Sequence, residues 1–409
     1  MLFITLKELR EILSYFTKHS FVKHSFYAFY PHKVWNQQLL WNKYLYHIKP
    51  HYAIKSNPEK LLIEIMYPKS VRFDCASLQE LKLVKDTLPK GADYKDLIIY
   101  ANPCKSFADL EYAQKEVNSP TTVVDSFEEL DKLVDIKYEG GTLVRISTDD
   151  KYSKMPFSGK FGISPDLVSD LGKYAKSKNI DIKGISFHVG SGGNDGKVYY
   201  KSISIAKQLC SELQTQKHIA NIIDIGGGFL PDEYDFSKKA KYINDAYDSK
   251  YHFIAEPGRF FSSGCQDFFV KVIGKKPWKD GWRYTIDDSL YGQFSCIPFD
   301  HVQPLWLRVS EENELRKKTR GILMGRTCDS VDVIARSECM EELEVNDWLW
   351  FPNMGSYTNV TATEFNGFPK PSVLTIFINT SDIHSSKFIE RVPSDIQTVQ
   401  PLSSKLLLN

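Results

Sequence analysis

His51-Tyr52-Ala53-Ile54-Lys55-Ser56-Asn57-Pro58 is a short apolar run that delivers a lysine to a polar turn. Burial at such a strand end disfavours the ammonium form, and a neutral amine attacks carbonyls, so Lys55 is placed for a Schiff base. One such lysine says little, because most lysines at strand ends reach into water. The stretch becomes informative because its pattern recurs at 71–74, 97–101, 121–125, 142–148, 183–188, 221–225 and 251–255. Between most of these runs lies helical spacing, as in Leu78, Leu81, Val84 and Leu88 or Ile203, Ile205, Ala206 and Leu209. Strands alternating with helices imply parallel pairing, and eight such units fit an α/β fold of the (β/α)8 TIM-like barrel type. An open doubly wound sheet fits the periodicity equally well. The unit count and the polar strand ends favour the barrel.

Those ends carry the argument. Lys55, Asp74, Asn102, Asp125, His188, Gly226 and Glu256 all lie at or just beyond the C-terminal ends of the runs. In a β/α barrel that face gathers side chains from separate strands into one site.

After residue 264 the rhythm changes, and strand-like runs follow one another at 267–273, 282–286, 304–309, 321–325, 348–351 and 373–378. They predict a separate all-β, antiparallel domain. The early run 26–30 is placed to join it. The domains are therefore 34–264 for the barrel, and 1–33 with 265–409 for the β domain. Thr5 and Glu8 form a capping box, and Leu6, Leu9, Leu13 and Phe16 make an amphipathic stripe, so the N-terminus reads as a helix rather than a signal peptide. The Ser- and Pro-containing tail has weak patterning.

A net charge of +1 gives no reason to expect nucleic acid or an anionic membrane as partner. No apolar stretch is long enough to span a bilayer. Seven cysteines without CxxC spacing argue against a zinc site or a disulfide framework, so no metal is expected and the cytoplasm is.

Four strings carry chemistry. Asp224-Ile225-Gly226-Gly227-Gly228-Phe229 sets three glycines after a strand, where backbone amides cradle a phosphate; a tight turn explains the glycines equally well. Ser186-Phe187-His188-Val189-Gly190-Ser191 closes the preceding strand, with Ser191 able to reach the same phosphate and His188 able to lie against an aromatic ring. Glu256-Pro257-Gly258-Arg259 offers a carboxylate for a protonated heteroaromatic nitrogen and a guanidinium for a phosphate. In Gly325-Arg326-Thr327-Cys328-Asp329-Ser330 a cysteine stands beside an acid, and an ordinary thiol pKa of about 8.5 suits a proton donor. Tyr357 is a further phosphate candidate, and Phe299-Asp300-His301 offers one more carboxylate.

Taken together, these strings resemble the fold type III pyridoxal-phosphate decarboxylases of basic amino acids, in particular the eukaryotic-type ornithine decarboxylases. The resemblance runs from about Ser25 to Pro369 and includes Tyr-Ala-Asn-Pro-Cys-Lys105, Thr-Cys328-Asp329-Ser-Val-Asp332 and Phe365-Asn-Gly-Phe. It implies an alanine racemase-like barrel with a C-terminal β domain, pyridoxal 5'-phosphate as cofactor, and a homodimer whose active sites cross the interface. It also implies roles. Lys55 would hold the cofactor, Glu256 pair with its ring nitrogen, His188 stack on the ring, and Asp74 and Glu80 support it. Ser191, Gly228, Arg259 and Tyr357 would hold the phosphate, and Gly226, Gly227, Pro257 and Gly258 would also line the cofactor. Cys328 would protonate the α-carbon. Phe299, Asp300, Asp329 and Phe365 would bind the substrate, the two aspartates taking a distal ammonium.

The implied reaction is decarboxylation of L-ornithine to putrescine and CO2, the first step of polyamine synthesis. Lysine or arginine is the alternative substrate, and a non-catalytic relative that binds an inhibitory regulator protein is the alternative function. Glu80 has a plainer explanation as the acid of a Ser77 capping box. Three departures from the family pattern stand near the site: Ser56 for a cysteine, Arg326 for a proline, and Asp288-Ser289-Leu290 for Asp-Gly-Val.

Overall fold

The computed structural model describes residues 11, 13–14, 22–148, 153, 158–192, 195–309 and 316–375. Leu6, Leu9 and Phe16 of the N-terminal stripe and most of the tail lie outside them, while Leu13 is helical and buried. Contacts divide the chain into Val34–Ser262 and a unit combining Met1–Lys33 with Ser263–Asn409.

Strand β1 (Phe26–Phe29) belongs to the second unit. The first unit is a closed barrel of eight parallel strands in sequence order: β2 (Lys49–Ala53), β3 (Arg72–Cys75), β4 (Ile98–Tyr100), β5 (Thr121–Val124), β6 (Thr142–Ile146), β7 (Ile182–Phe187), β8 (Ile222–Asp224) and β9 (His252–Ala255). The doubly wound alternative is thereby excluded. Ile99, Ala101, Val123, Leu143 and Ile254 form a buried cluster drawn from these strands and their ends, with Ile222 packed against it.

Four connecting helices start where the sequence offers a cap. Ser77, Ser106, Ser126 and Asp232 each accept the amide three residues on, satisfying a donor that the first helical turn leaves orphaned. The lysine of the Tyr-Ala-Asn-Pro-Cys-Lys string is structural. Lys105 Nζ is buried, 2.8 Å from the Glu129 carboxylate, and donates to the carbonyls of Asn102 and Val123.

The second unit holds an eight-stranded sheet. Its path runs β12 (Leu307–Arg308), β15 (Trp348–Phe351), β10 (Gln266–Trp278), β11 (Gly281–Ile286), β13 (Lys318–Met324), β14 (Val333–Glu341), with β1 paired to β10 and β16 (Ser372–Thr375) paired in turn to β1. The early run therefore does join this sheet, and Phe26 stacks on Phe269 at 4.9 Å. The antiparallel expectation needs correcting: β11 pairs β13 in parallel, and so does β1 with β16. Thirty-one residues separate Ile286 from Lys318, enough for the chain to return and re-enter the sheet in the same direction. Strand β14 was not expected, because Arg336, Glu338 and Glu341 interrupt its apolar pattern; such charges suit an edge strand.

Candidate active site

At the C-terminal end of the barrel, the chain leaves β2 at Ala53 and enters a 3-10 turn, Ile54–Ser56, that carries Lys55. Parallel register sets Ala53 opposite Asp74, and Lys55 Nζ lies 3.7 Å from Asp74 Oδ2. The expected burial of the lysine does not hold. Its side chain is 45% exposed, because the turn lifts it past the strand end, and its charged neighbour is an acid that is itself buried.

The surrounding carboxyls are unusual. Asp74 is buried with neither oxygen hydrogen-bonded, and burial pushes it up to about 7, helped by Glu256 and opposed by Lys55. Glu80 is likewise raised to about 7 by burial, although the Ala76 amide donates to its carboxylate at 2.6 Å. Its own amide donates to Ser77 Oγ, so the capping arrangement is present as well. Glu256 is driven well above the usual carboxylate range by burial and then by Asp224, and its Oε1 has no hydrogen-bond partner. His188 is held far below its ordinary pKa by burial and by the charges of Arg145 and Lys55. It is therefore neutral, and its Nδ1 accepts the Gly190 amide at 2.9 Å, which leaves the ring proton on Nε2.

The glycine run sits beside it. Gly226 and Gly228 adopt φ of 64° and 95°, and a Cβ on either would meet a carbonyl oxygen, at 2.3 Å (Phe187) and 2.6 Å (Gly190). A Cβ on Gly227 would come 3.0 Å from His188 Nε2. Barrel closure stitches the remaining corner: the Glu256 amide donates to Gly226 O and the Ala53 amide to Pro257 O. Arg259 opens the short helix that follows Gly258, and Ser191 lies in the loop after β7. Ser56 is buried within 2.9 Å of Ala53 O, 3.1 Å of Tyr52 Oη and 3.2 Å of Ser262 Oγ.

These features fit pyridoxal phosphate. An orphaned, buried Glu256 oxygen suits a protonated ring nitrogen, the amine of Lys55 suits the aldehyde, and glycines that exclude any Cβ suit a closely held anion.

A second group lies in the sheet unit, on the loop after β13. Asn366, at φ 59°, clamps Cys328 twice: its Oδ1 accepts the Cys328 amide at 3.2 Å and its Nδ2 donates to Sγ at 3.5 Å. The Tyr291 hydroxyl donates to the Asp329 carboxylate and, with the Val331 amide, holds Asp329 below the usual carboxylate range. The Phe365 ring packs 4.4 Å from that of Tyr291. Beneath the loop, buried Asp332 accepts the Leu290 and Thr327 amides and the Thr327 hydroxyl. Arg326, the departure from proline, lies 3.9 Å over the Phe368 ring while its amide bonds Asp288 O, so the loop is closed despite the exchange. Phe299 and Asp300 end a short helix elsewhere in this unit, and Tyr357 occupies a turn at φ 55°.

Sequence reasoning overlooked Asp224, Arg145, Tyr291, Asn366 and Asp332. Four of them sit inside or beside strings already quoted, but each works through a partner distant in sequence. Among the described residues no His, Cys, Asp and Glu group could hold a metal ion, and no helix is long and apolar enough to cross a membrane.

Comparison with known proteins agrees with the geometry. Residues 32–263 match the pyridoxal binding domain of the pyridoxal-dependent decarboxylases, and residues 263–355 match their C-terminal sheet domain. The ornithine decarboxylase of Caenorhabditis elegans is 36% identical over 354 residues, covering 81% of this chain and 82% of that protein. Antizyme inhibitor 2 of Xenopus laevis is 35% identical over 352 residues, covering 81% and 76%. The crystal structure of the Paramecium bursaria Chlorella virus arginine decarboxylase bound to agmatine superposes with a TM-score of 0.85 at 34% identity, covering 91% of this chain and all of that one. With its lysine turn, glycine cradle and buried acids, the chain belongs to the pyridoxal-dependent decarboxylase family.

Proposed function

We propose that the protein converts L-ornithine and a proton to putrescine and CO2. The observation that carries the substrate is Asp329, kept ionised by Tyr291 beside the Phe365 ring, a pairing suited to a short chain ending in an ammonium. Asp300 supplies the second carboxylate, and two acids together disfavour a neutral side chain.

Pyridoxal phosphate, when bound, supplies an electron-poor ring that accepts the electron pair left by departing CO2. The chain's own groups do the rest. Lys55 would hold the cofactor through its side-chain amine and would free the product at the end of the cycle. Glu256 would hold the ring nitrogen, His188 would support the ring face as a neutral imidazole, and Asp74 and Glu80 would flank the Lys55 amine. Ser191, Gly226–Gly228, Arg259 and Tyr357 hold the phosphate. Cys328, steadied by Asn366, gives its proton to the substrate's Cα. We assign Cys328 and Asp329 to the barrel of the second subunit in a homodimer working in the cytoplasm. Seven free cysteines agree with a reducing compartment.

The test is a side-by-side assay of ornithine, lysine, arginine and diaminopimelate with the purified, cofactor-loaded protein. Ornithine is expected to give CO2 and putrescine with the highest kcat/KM, and Lys55→Ala to give neither. Faster turnover of lysine or arginine overturns the substrate while leaving the reaction. A second reading is favoured by the likeness to antizyme inhibitor 2: a non-catalytic protein that binds a regulator. A visible absorption band of lysine-bound cofactor, abolished by borohydride, argues for the enzyme, and its absence for the regulator.

A further inference from the structure

The end of the barrel opposite Lys55 holds a cavity of its own. Lys49, Arg72, Ile98, Thr121, Ile222 and His252 are the first residues of β2, β3, β4, β5, β8 and β9, and all six line a space of about 420 Å³ at the N-terminal mouth. That volume lies within the range of small-molecule sites. The cavity shares no lining residue with the site around Lys55.

Part of its wall is apolar. Ile98, Ile99, Ile222 and Ile254 line it, and Ile99 and Ile254 belong to the buried cluster inside the barrel. Tyr247 and Phe253 add rings whose centres lie 5.1 Å apart, and the His47 ring lies 4.1 Å from that of Tyr247.

The charge on the wall is unbalanced. Lys49, Arg72 and Lys95 face a single acid, Asp96, which pairs with Arg72. Among the described residues neither Lys49 nor Lys95 is paired with an acid. Two imidazole nitrogens of the lining, His47 Nε2 and His51 Nδ1, are buried without a hydrogen-bond partner. Burial, then the charge of Arg72 and more weakly that of Lys49, hold His51 down to about 3, so both cations bear on one ring. Like charges gathered on one cavity repel, and a bound anion offsets that cost.

We propose that the N-terminal mouth of the barrel is a second binding site, separate from the catalytic one, for a small organic phosphate. The three cations take the phosphate, which carries nearly two charges at neutral pH where a carboxylate carries one. The isoleucines and the rings of Tyr247 and Phe253 take the organic body, whose removal from water adds affinity. Asp96 holds Arg72 and opposes the ligand.

The experiment is calorimetric titration of the protein, loaded with pyridoxal phosphate and freed of excess, with adenosine 5'-monophosphate, inorganic phosphate and adenosine. The nucleotide is expected to bind, inorganic phosphate to bind more weakly, and adenosine not to bind. Lys49→Gln and Lys95→Gln are each expected to weaken the nucleotide by about tenfold, the scale of one charge-assisted hydrogen bond. Asp96→Asn is expected to tighten it by about threefold, because the opposing charge is gone and Arg72 is released. All three side chains are exposed, and circular dichroism verifies that each variant is folded. The cofactor's visible absorption should stay constant during the titration. No nucleotide binding at about 5 mM overturns the proposal. So do adenosine binding as tightly as the nucleotide, an affinity that both lysine variants leave unchanged, weaker binding by Asp96→Asn, and loss of the cofactor band, which places the probe at the catalytic end. None of these measurements needs a substrate, so they stand apart from the assignment of ornithine.

Discussion

The loop of the sheet unit shows how much a single amide can be responsible for. Cys328 is exposed, and the contacts that define its position are the two from Asn366. Asn366→Ala is expected to lower kcat by roughly tenfold, the scale of a misplaced proton donor, with KM nearly unchanged in steady-state assays. Tyr291 acts on binding instead. Its hydroxyl is the main cause of the depressed Asp329 ionisation, so Asp329 stays charged as pH falls. In Tyr291→Phe the group titrates at higher pH, and the acid limb of the kcat/KM profile should move upward. Lys55, Asp74 and Glu256 were legible in the sequence because a barrel turns "last residue of a strand" into a place. Asn366 was not, since its partner lies 38 residues away and nothing in Phe-Asn-Gly-Phe signals a thiol. The expected burial of Lys55 failed for a local reason: the strand stops two residues earlier, and a turn exposes it.

At the scale of the element, local chemistry decides more than apolar patterning. All eight barrel strands were visible as apolar or β-branched runs, and four of the helices between them begin at a serine or aspartate cap. In the sheet unit, strand existence was partly legible and strand direction was not, because direction depends on how a long connection returns. The Lys105–Glu129 pair illustrates a buried contact that sequence conceals. Removing one partner leaves the other charged without water. Lys105→Met should therefore destabilise the barrel by about 3 kcal/mol, Lys132 at 2.7 Å keeping the loss at the low end of the range for broken buried pairs. Urea unfolding, followed by circular dichroism, measures it.

Over the whole molecule, buried ionisable groups give the cofactor-free protein a characteristic response to pH. Asp74 and Glu80, at about 7, bind protons more tightly folded than unfolded. Their contribution is complete at acid pH and is lost as pH rises from about 4 to 7, by up to about 1.4 kcal/mol per pH unit for each proton. His32 and His51 act in the opposite direction. Lowered by burial to about 4 and about 3, they contribute fully above their unfolded pKa and lose that contribution as pH falls below about 6.5. Asp74→Asn should flatten the alkaline-going decline and leave the histidine limb, as urea unfolding across pH would show. A stability that still falls as steeply in the variant would refute the assignment to Asp74.

The serine at the foot of the lysine turn has a consequence for chemical damage. At that place the chain presents a hydroxyl enclosed by Tyr52 and Ser262, which offers oxidants no sulfur. Of its seven thiols, Cys75, Cys210, Cys265 and Cys296 are buried, leaving Cys104, Cys328 and Cys339 open to attack. Inactivation by dilute peroxide should then follow sulfenic acid formation at Cys328 alone, and a Cys104→Ser/Cys339→Ser double variant should remain as sensitive as the parent.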